Sequence, residues 1–344
     1  RRLAMIFFAP GEILATALIA LLLDRWLGDP PWLTRRIGHP VIWIGRVIGF
    51  LERRLNRAPE KSARGRFSGL LTVTLVAALA LAGGTAVILL GQTVNLAIPF
   101  AGLAAGVLLC QRSLADHVTA VADGLRHDVA GGRQALAHLV GRDVSDLDES
   151  AVATGAIESL AENTSDGIVA PLFWLLLGGL PGMTLYKAIN TADSMIGHRD
   201  RRHLAFGWAA ARLDDGLNLP AARLTAVGFA LAAGITQATP LAALRAALRA
   251  AWRDAGGHLS PNAGWPEAAV AGALGLTLGG PRSYAGRSVD LARMGDGQAP
   301  TGAPDIMRAL ALYRATLNLT TCLVAGALAL LWAFGAADFS SHPF

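Results

Sequence analysis

The chain has 344 residues, 53% of them hydrophobic and only 16% charged, with a formal net charge of +5 and a mean hydropathy of +0.43. These values argue against an ordinary soluble domain and point to an integral membrane protein. Nucleic acid is not needed to explain the basic excess, because most arginines stand alone in loops beside apolar runs, where the positive-inside rule accounts for them. Cys110 and Cys322 lie in apolar runs without metal-ligand spacing, so neither disulfides nor thiol chemistry is expected.

In chain order, Leu3 to Leu23 carries one acid, Glu12, and leads into DRWLGDPPW without a small-residue cleavage site; it reads as a retained span. Pro30 and Pro31 then impose a turn. There Asp24, Asp29 and His39 are open to ligand, capping or turn roles. Between Asp24 and Ser68 ten Lys or Arg face four acids, which places this loop in the cytoplasm, with Arg46 to Arg66 along the inner leaflet. Gly69 to Cys110 holds no charge; as helix it would measure about 63 Å against about 30 Å of hydrocarbon, so two spans and a turn are expected. A polar core is expected over 111–220.

Arg112 to Leu139 has a helical pattern, and His117, His127 and His138 read as surface residues. Ser145 or Asp146 is the expected N-cap of the next helix, which puts Glu158 and Glu162 at i,i+4, about 5 to 6 Å apart at Cβ. Two such carboxylates repel unless a cation joins them; Mg²⁺ is held by one or two carboxylates with phosphates and waters completing the shell. A solvated acidic helix end is the plainer reading. Gly167 to Tyr186 is apolar, but as a full span it would put the Arg-rich segment after it outside. A re-entrant hairpin broken at Gly178, Gly179, Pro181 and Gly182 avoids that.

On the following helix Lys187, Asn190, Thr191, Asp193 and Ser194 fall on one arc, opposite Ala188, Ile189, Ala192, Met195 and Ile196. Lys187 is one of two lysines among 30 basic residues. Arg212 to Leu224 adds Asp214, Asp215 and Asn218. Leu224 to Thr239 is a thin span or buried insertion, and Leu241 to Asp254 spaces Arg245, Arg249 and Arg253 as an interfacial helix would. A polar loop from His258 to Glu267, a short Gly-rich insertion and GDG at Gly295 precede a last span over 315–337. The expected fold is all-α: one polytopic integral membrane domain with re-entrant or short buried helices and a cytoplasmic polar site.

No phosphate loop, dinucleotide fingerprint or nucleophile elbow occurs. What remains is a set of carboxylates, one lysine, arginines and amides, suited to phosphate and Mg²⁺ handling. The motifs DRWLGDPPW with HPVIWIG, RDVSDLDES, AIESLAENTSDGIVAPLFW, YKAINTADSMIG, FGWAAARLDD, SPNAGWPEA and GGPRSYAG with GDG, in this order over most of the chain, resemble the CobD/CbiB family of cobalamin biosynthesis proteins.

The resemblance implies an inner-membrane adenosylcobinamide-phosphate synthase. Such an enzyme joins adenosylcobyric acid, a corrinoid, to (R)-1-amino-2-propanol or its O-phosphate, with ATP as co-substrate, Mg²⁺ and an acyl-phosphate intermediate. It also allows contact with other late cobalamin-pathway enzymes. The family's polar positions fall on Glu158, Glu162, Asn163, Asp166, Lys187, Asn190, Asp193, Arg212, Asp214 and Asp215. Glu158, Glu162 and Asp166 are assigned to metal, and Lys187 to the transferred phosphoryl group. Asn190, Asp193 and Asp214 are assigned to catalysis, and Asn163, Arg199, Arg212 and Asp215 to nucleotide or substrate phosphate. His198 and His203 stand where the resemblance leads one to expect aromatic residues in many relatives. Two other classes compete: a related membrane signalling family with an eroded site, and a transporter. A transporter would place ionisable groups inside spans, where the apolar runs leave only Glu12.

Overall fold

The computed structural model describes residues 8–29, 35–36, 38–57, 62–141, 143–284 and 287–335. Among them, five helical stretches are long and apolar enough to cross a membrane: Ala63–Thr93, Ala97–His127, Glu149–Ile196, Trp208–Thr236 and Ala303–Phe334. The chain divides into two compact units, one of residues 1–110, 170–217 and 321–344, the other of 111–169 and 218–320.

In the first unit, helix α1 (Pro10–Leu27) opens on a proline, whose missing N–H would have had no helical partner. Its 18 residues carry Glu12, Asp24 and Arg25, and it is not among the five stretches; residues 3–7 of the expected span lie outside the described residues. Helix α2 (Pro40–Leu55) is capped by His39, whose Nδ1 accepts the Val41 N–H at 3.2 Å. Pro30 and Pro31 lie outside the described residues. Ser62 caps α3 (Ala63–Thr93), 31 residues long.

The return leg differs from the second span expected before Cys110. Helix α4 (Ala97–Gly106) has ten residues, about 15 Å, and the chain reaches membrane-spanning length only by running on into the second unit. Its buried small residues Ala101, Gly102, Ala105 and Gly106 bring its backbone close to α1: a Cβ on Gly102 would meet Ile19 at 2.5 Å.

Helix α8 (Ala170–Ile196) is broken at Gly179 (φ 62°, ψ −162°), with Pro181 just beyond. A Cβ on Gly182 would stand 2.6 Å from the Trp174 carbonyl, whereas positions eight apart in a straight helix are separated by about 12 Å. The chain therefore doubles back on itself, the reversal expected of a re-entrant hairpin. Its first limb supplies Leu172 and Leu175 to a core with Ala17, Ala20 and Leu21 of α1. Its second limb supplies Ala188, Ile189, Ala192 and Ile196 to another core with Ile48 of α2 and Val73 and Val76 of α3. On the expected polar arc Thr191 is buried, and on the apolar side Met195 is exposed.

The second unit contains α5 (Gln111–His127), α6 (Val129–Leu136) and α7 (Glu149–Thr164), which continues into a π-helix (Ser165–Val169). Asp148, not Ser145 or Asp146, caps α7: its backbone is extended and its carboxylate accepts the Ala151 N–H at 2.8 Å. Ser145 is instead held by Asp143, through both its N–H and its hydroxyl. Helix α9 (Trp208–Thr236) enters this unit at Asn218, followed by α10 (Pro240–Asp254) and α11 (Gly264–Leu274). Arg245, Arg249 and Arg253 lie exposed on α10 while Ala243, Ala247, Ala250 and Ala251 are buried, as an amphipathic helix requires.

The fold is not wholly helical. Strands β1 (Leu278–Tyr284) and β2 (Arg287–Met294) pair antiparallel, with Leu278 opposite Met294 and an irregularity between Leu278 and Gly280. Gly279 and Gly280 take φ of +83° and +90° there, values that L side chains resist. GDG closes the base of this hairpin: Asp254 accepts the Gly295 N–H at 2.8 Å, and Asp296 pairs with Arg253. Helix α12 (Ala303–Gly335) ends the described chain.

The apolar runs of the sequence end at charges, but the helices continue through them. Glu158, Lys187, Asp193, Asp214, Asp215 and Arg223 thus all lie on stretches of spanning length, whereas α1, which carries Glu12, is not one of the five.

Candidate functional site

In the first unit, two helices carry the polar residues. Asn190 on α8 donates through Nδ2 to Oδ1 of the buried Asp214 on α9 at 3.2 Å. One turn from Asn190, Lys187 is half-buried, and its ammonium has no hydrogen-bonding or ion-pair partner among the described residues. Trp174, on the first limb of α8, donates to the Leu217 carbonyl at 3.1 Å and ties the hairpin to α9. Asp215 is half-buried, with Arg212 and Arg199 as electrostatic neighbours. Asp193 is half-buried, and Arg199 and Arg212 are exposed. The unit thus groups an oriented carboxylate, an ammonium unpaired among the described residues, and a carboxylate attended by two guanidiniums.

The loop joining α8 to α9 is pinned by a cluster that the sequence reading missed. The two ring nitrogens of His203 lie 2.9 Å from Glu52 and 2.9 Å from Asp200, and Arg202 reaches the same Glu52 oxygen at 2.8 Å. The hydrogen bond from His203 holds the Asp200 carboxyl below the usual carboxylate range, against a smaller opposing effect of burial. Glu52 lies about 150 positions earlier in the chain, a separation that no local pattern spans.

In the second unit, α7 is mostly buried. Glu158 is 4% exposed and accepts the Gly279 N–H at 2.8 Å, so one carboxylate oxygen serves the hairpin. Glu162, one turn on, is exposed. Asn163 donates to the Ser159 carbonyl at 2.8 Å. Asp166 lies in the π-helix, whose wider turn redirects side chains and recurs at functional sites. Beside it the Ser165 hydroxyl is buried without a hydrogen-bond partner among the described residues. No group of three or more His, Cys, Asp or Glu able to hold a metal occurs among the described residues, and His117, His127 and His138 are all exposed. The oxygen donors on α7 and the π-helix still suit Mg²⁺, which takes one or two carboxylates and fills its shell from phosphate and water.

These features define an α-helical protein of membrane type that carries ionisable side chains on helices of spanning length. The chain belongs to the CobD/CbiB family, whose model, described as CobD/Cbib protein, matches residues 17–313. Three relatives bear the name cobalamin biosynthesis protein CobD. That of Rhizobium meliloti is 48% identical over 324 residues, covering 92% of this chain and 97% of the relative. That of Brucella suis is 48% identical over 320 residues, 90% and 95% of the two chains. That of Rhodobacter capsulatus is 49% identical over 325 residues, 92% and 98%. No solved structure matches the chain.

Proposed function

We propose that this protein acts in cobalamin biosynthesis as an adenosylcobinamide-phosphate synthase, forming an amide between the free propionate of adenosylcobyric acid and (R)-1-amino-2-propanol or its O-phosphate. The relatives' names support the pathway, and the observation that carries the chemistry is Lys187: a half-buried ammonium without a partner among the described residues, one turn along α8 from the asparagine that orients Asp214. A cation so placed is suited to an incoming phosphate. The protein resides in the inner membrane, with its polar groups facing the cytoplasm.

A carboxylate does not react with an amine unaided. Transfer of the γ-phosphoryl group of ATP to the propionate oxygen gives an acyl phosphate and ADP. The amine nitrogen then attacks the acyl carbon, the bond from that carbon to the phosphate oxygen breaks, and inorganic phosphate leaves with the electron pair. Lys187 steadies the phosphoryl group in the first step. In the second, Asp214, oriented by Asn190, accepts the proton lost from nitrogen, and Asp193 helps to orient the amine. Arg199 and Arg212, both electrostatic neighbours of Asp215, hold the phosphate of a phosphorylated amine. Asn163 contributes to nucleotide binding. Of the carboxylates Glu158, Glu162 and Asp166, one or two would hold Mg²⁺, which when bound would neutralise phosphate charge. Purified protein given adenosylcobyric acid, the amine or its phosphate, ATP and Mg²⁺ should yield a product heavier by the amine less one water. Flux across vesicles without such a product would support a transporter instead.

A further inference from the structure

We propose that the groove between α9 and the α10–α11 pair in the second unit binds an anionic phospholipid. Its phosphate would lie against Arg223 and Arg249 and its acyl chain along the apolar wall. The groove encloses about 730 Å³, a size that suits an amphiphile of this kind. Ala226, Val227, Leu248 and Ala251 form the wall, with Trp252 and Trp265 beside them.

The charge at the groove is one-sided. Among the described residues three guanidiniums line it and no carboxylate does. Arg253 is neutralised by Asp254 and Asp296. Among the described residues Arg223 is held only by neutral acceptors, Asn262 Oδ1 at 3.0 Å and the Leu219 and Pro261 carbonyls, and lies 4.7 Å over the Trp265 ring. Arg249 is exposed and has no partner among the described residues. Two positive charges therefore remain uncompensated, one of them on a helix of spanning length, where a charged side chain is costly and marks function.

The apolar part decides the class of ligand. A free phosphate would leave the apolar wall without a role, whereas an acyl chain occupies it. Trp252 is 81% exposed, as indoles are at the level of lipid head groups, on a helix whose arginines face away from its buried alanines as in interfacial helices. Basic pockets beside membrane helices select anionic head groups in this way.

Native mass spectrometry of the full chain in detergent, offered phosphatidylglycerol or phosphatidylcholine of matched chain length, tests this. Phosphatidylglycerol adducts should exceed phosphatidylcholine adducts, and Arg249→Gln should reduce them about fivefold, the worth of one arginine near an anionic head group. Arg249→Lys should retain most of them, and all variants should melt as the parent does. Brominated phosphatidylglycerol should quench a tryptophan component that Trp252→Phe removes, and millimolar inorganic phosphate should leave that quenching in place. Equal adducts of the two lipids, undiminished phosphatidylglycerol adducts in Arg249→Gln, or loss of quenching with inorganic phosphate would each overturn the proposal, the last by revealing a free-phosphate site.

Discussion

Glu158 on α7 and Lys187 on α8 both carry ionisable side chains and are both withdrawn from solvent, yet their surroundings differ. Glu158 is 4% exposed and spends one oxygen on the Gly279 N–H, joining α7 to a hairpin that needs glycine at that point. Lys187 is half-buried and its ammonium has no partner among the described residues. A charge already engaged by backbone helps to hold the fold, and replacing it disturbs stability before chemistry. A charge left unengaged costs the fold something to keep, and that cost is recovered when a ligand supplies the counter-charge.

Replacing Lys187 should have the largest effect. Lys187→Met should lower the maximal rate by about 10²- to 10³-fold, with little change in melting temperature and less change in KM than in kcat. A folded Lys187→Met protein of near-parental rate would make the ammonium a snorkelling side chain and nothing more. On the other side of the comparison, Gly279→Val puts a β-branched residue at φ +83° and drives its Cβ into the Ala292 carbonyl. Strain of that kind costs about 1–2 kcal/mol from the backbone alone, and amide exchange over 278–294 should accelerate accordingly.

Glu158→Ala removes an acceptor from a backbone donor and should cost about 1–3 kcal/mol, visible as a lower melting point. Glu162→Gln, at an exposed position, should leave the melting point alone and shift only the Mg²⁺ dependence of turnover. A normal melting point for Glu158→Ala would show that the hairpin contact contributes little.

The smallest effect concerns pH. The Arg253 side chain, together with the Gly295 N–H, holds the Asp254 carboxyl below its ordinary value despite opposing burial. A group whose pKa is lower in the folded state stabilises the fold fully above its unfolded value, near 4, and the contribution is lost as pH falls from there through the folded value. Protection of the hairpin base should therefore weaken below about pH 4, and Asp254→Asn should remove that dependence. Unaltered pH dependence in Asp254→Asn would assign the acid sensitivity elsewhere.

Much of this arrangement is legible in the sequence because it follows local rules. The reversal in α8 is announced by Gly178, Gly179, Pro181 and Gly182, the i,i+4 pair on α7 by helical spacing, and the arginine row on α10 by a four-residue period. What is not legible depends on partners distant in sequence. The β-hairpin hides in a Gly-rich run that lacks clear alternation, and its need for glycine is apparent only beside the opposite strand. Ser145 and Asp146 are the caps that composition suggests; Asp148 is selected instead because its backbone is extended directly before the first helical turn. The π-helix at Ser165–Val169 has no compositional signature at all. Of the site, the sequence yields the residue types and their helices, but not the Asn190–Asp214 bond or the Glu52–His203–Asp200 cluster, which join separate segments.

The most direct test of the proposed chemistry follows an oxygen atom. With adenosylcobyric acid carrying ¹⁸O in its free carboxylate, activation as an acyl phosphate predicts that each amide formed releases one inorganic phosphate bearing one ¹⁸O from that carboxylate, alongside ADP. Recovery of the label in AMP, or amide formation with unlabelled phosphate, would contradict it.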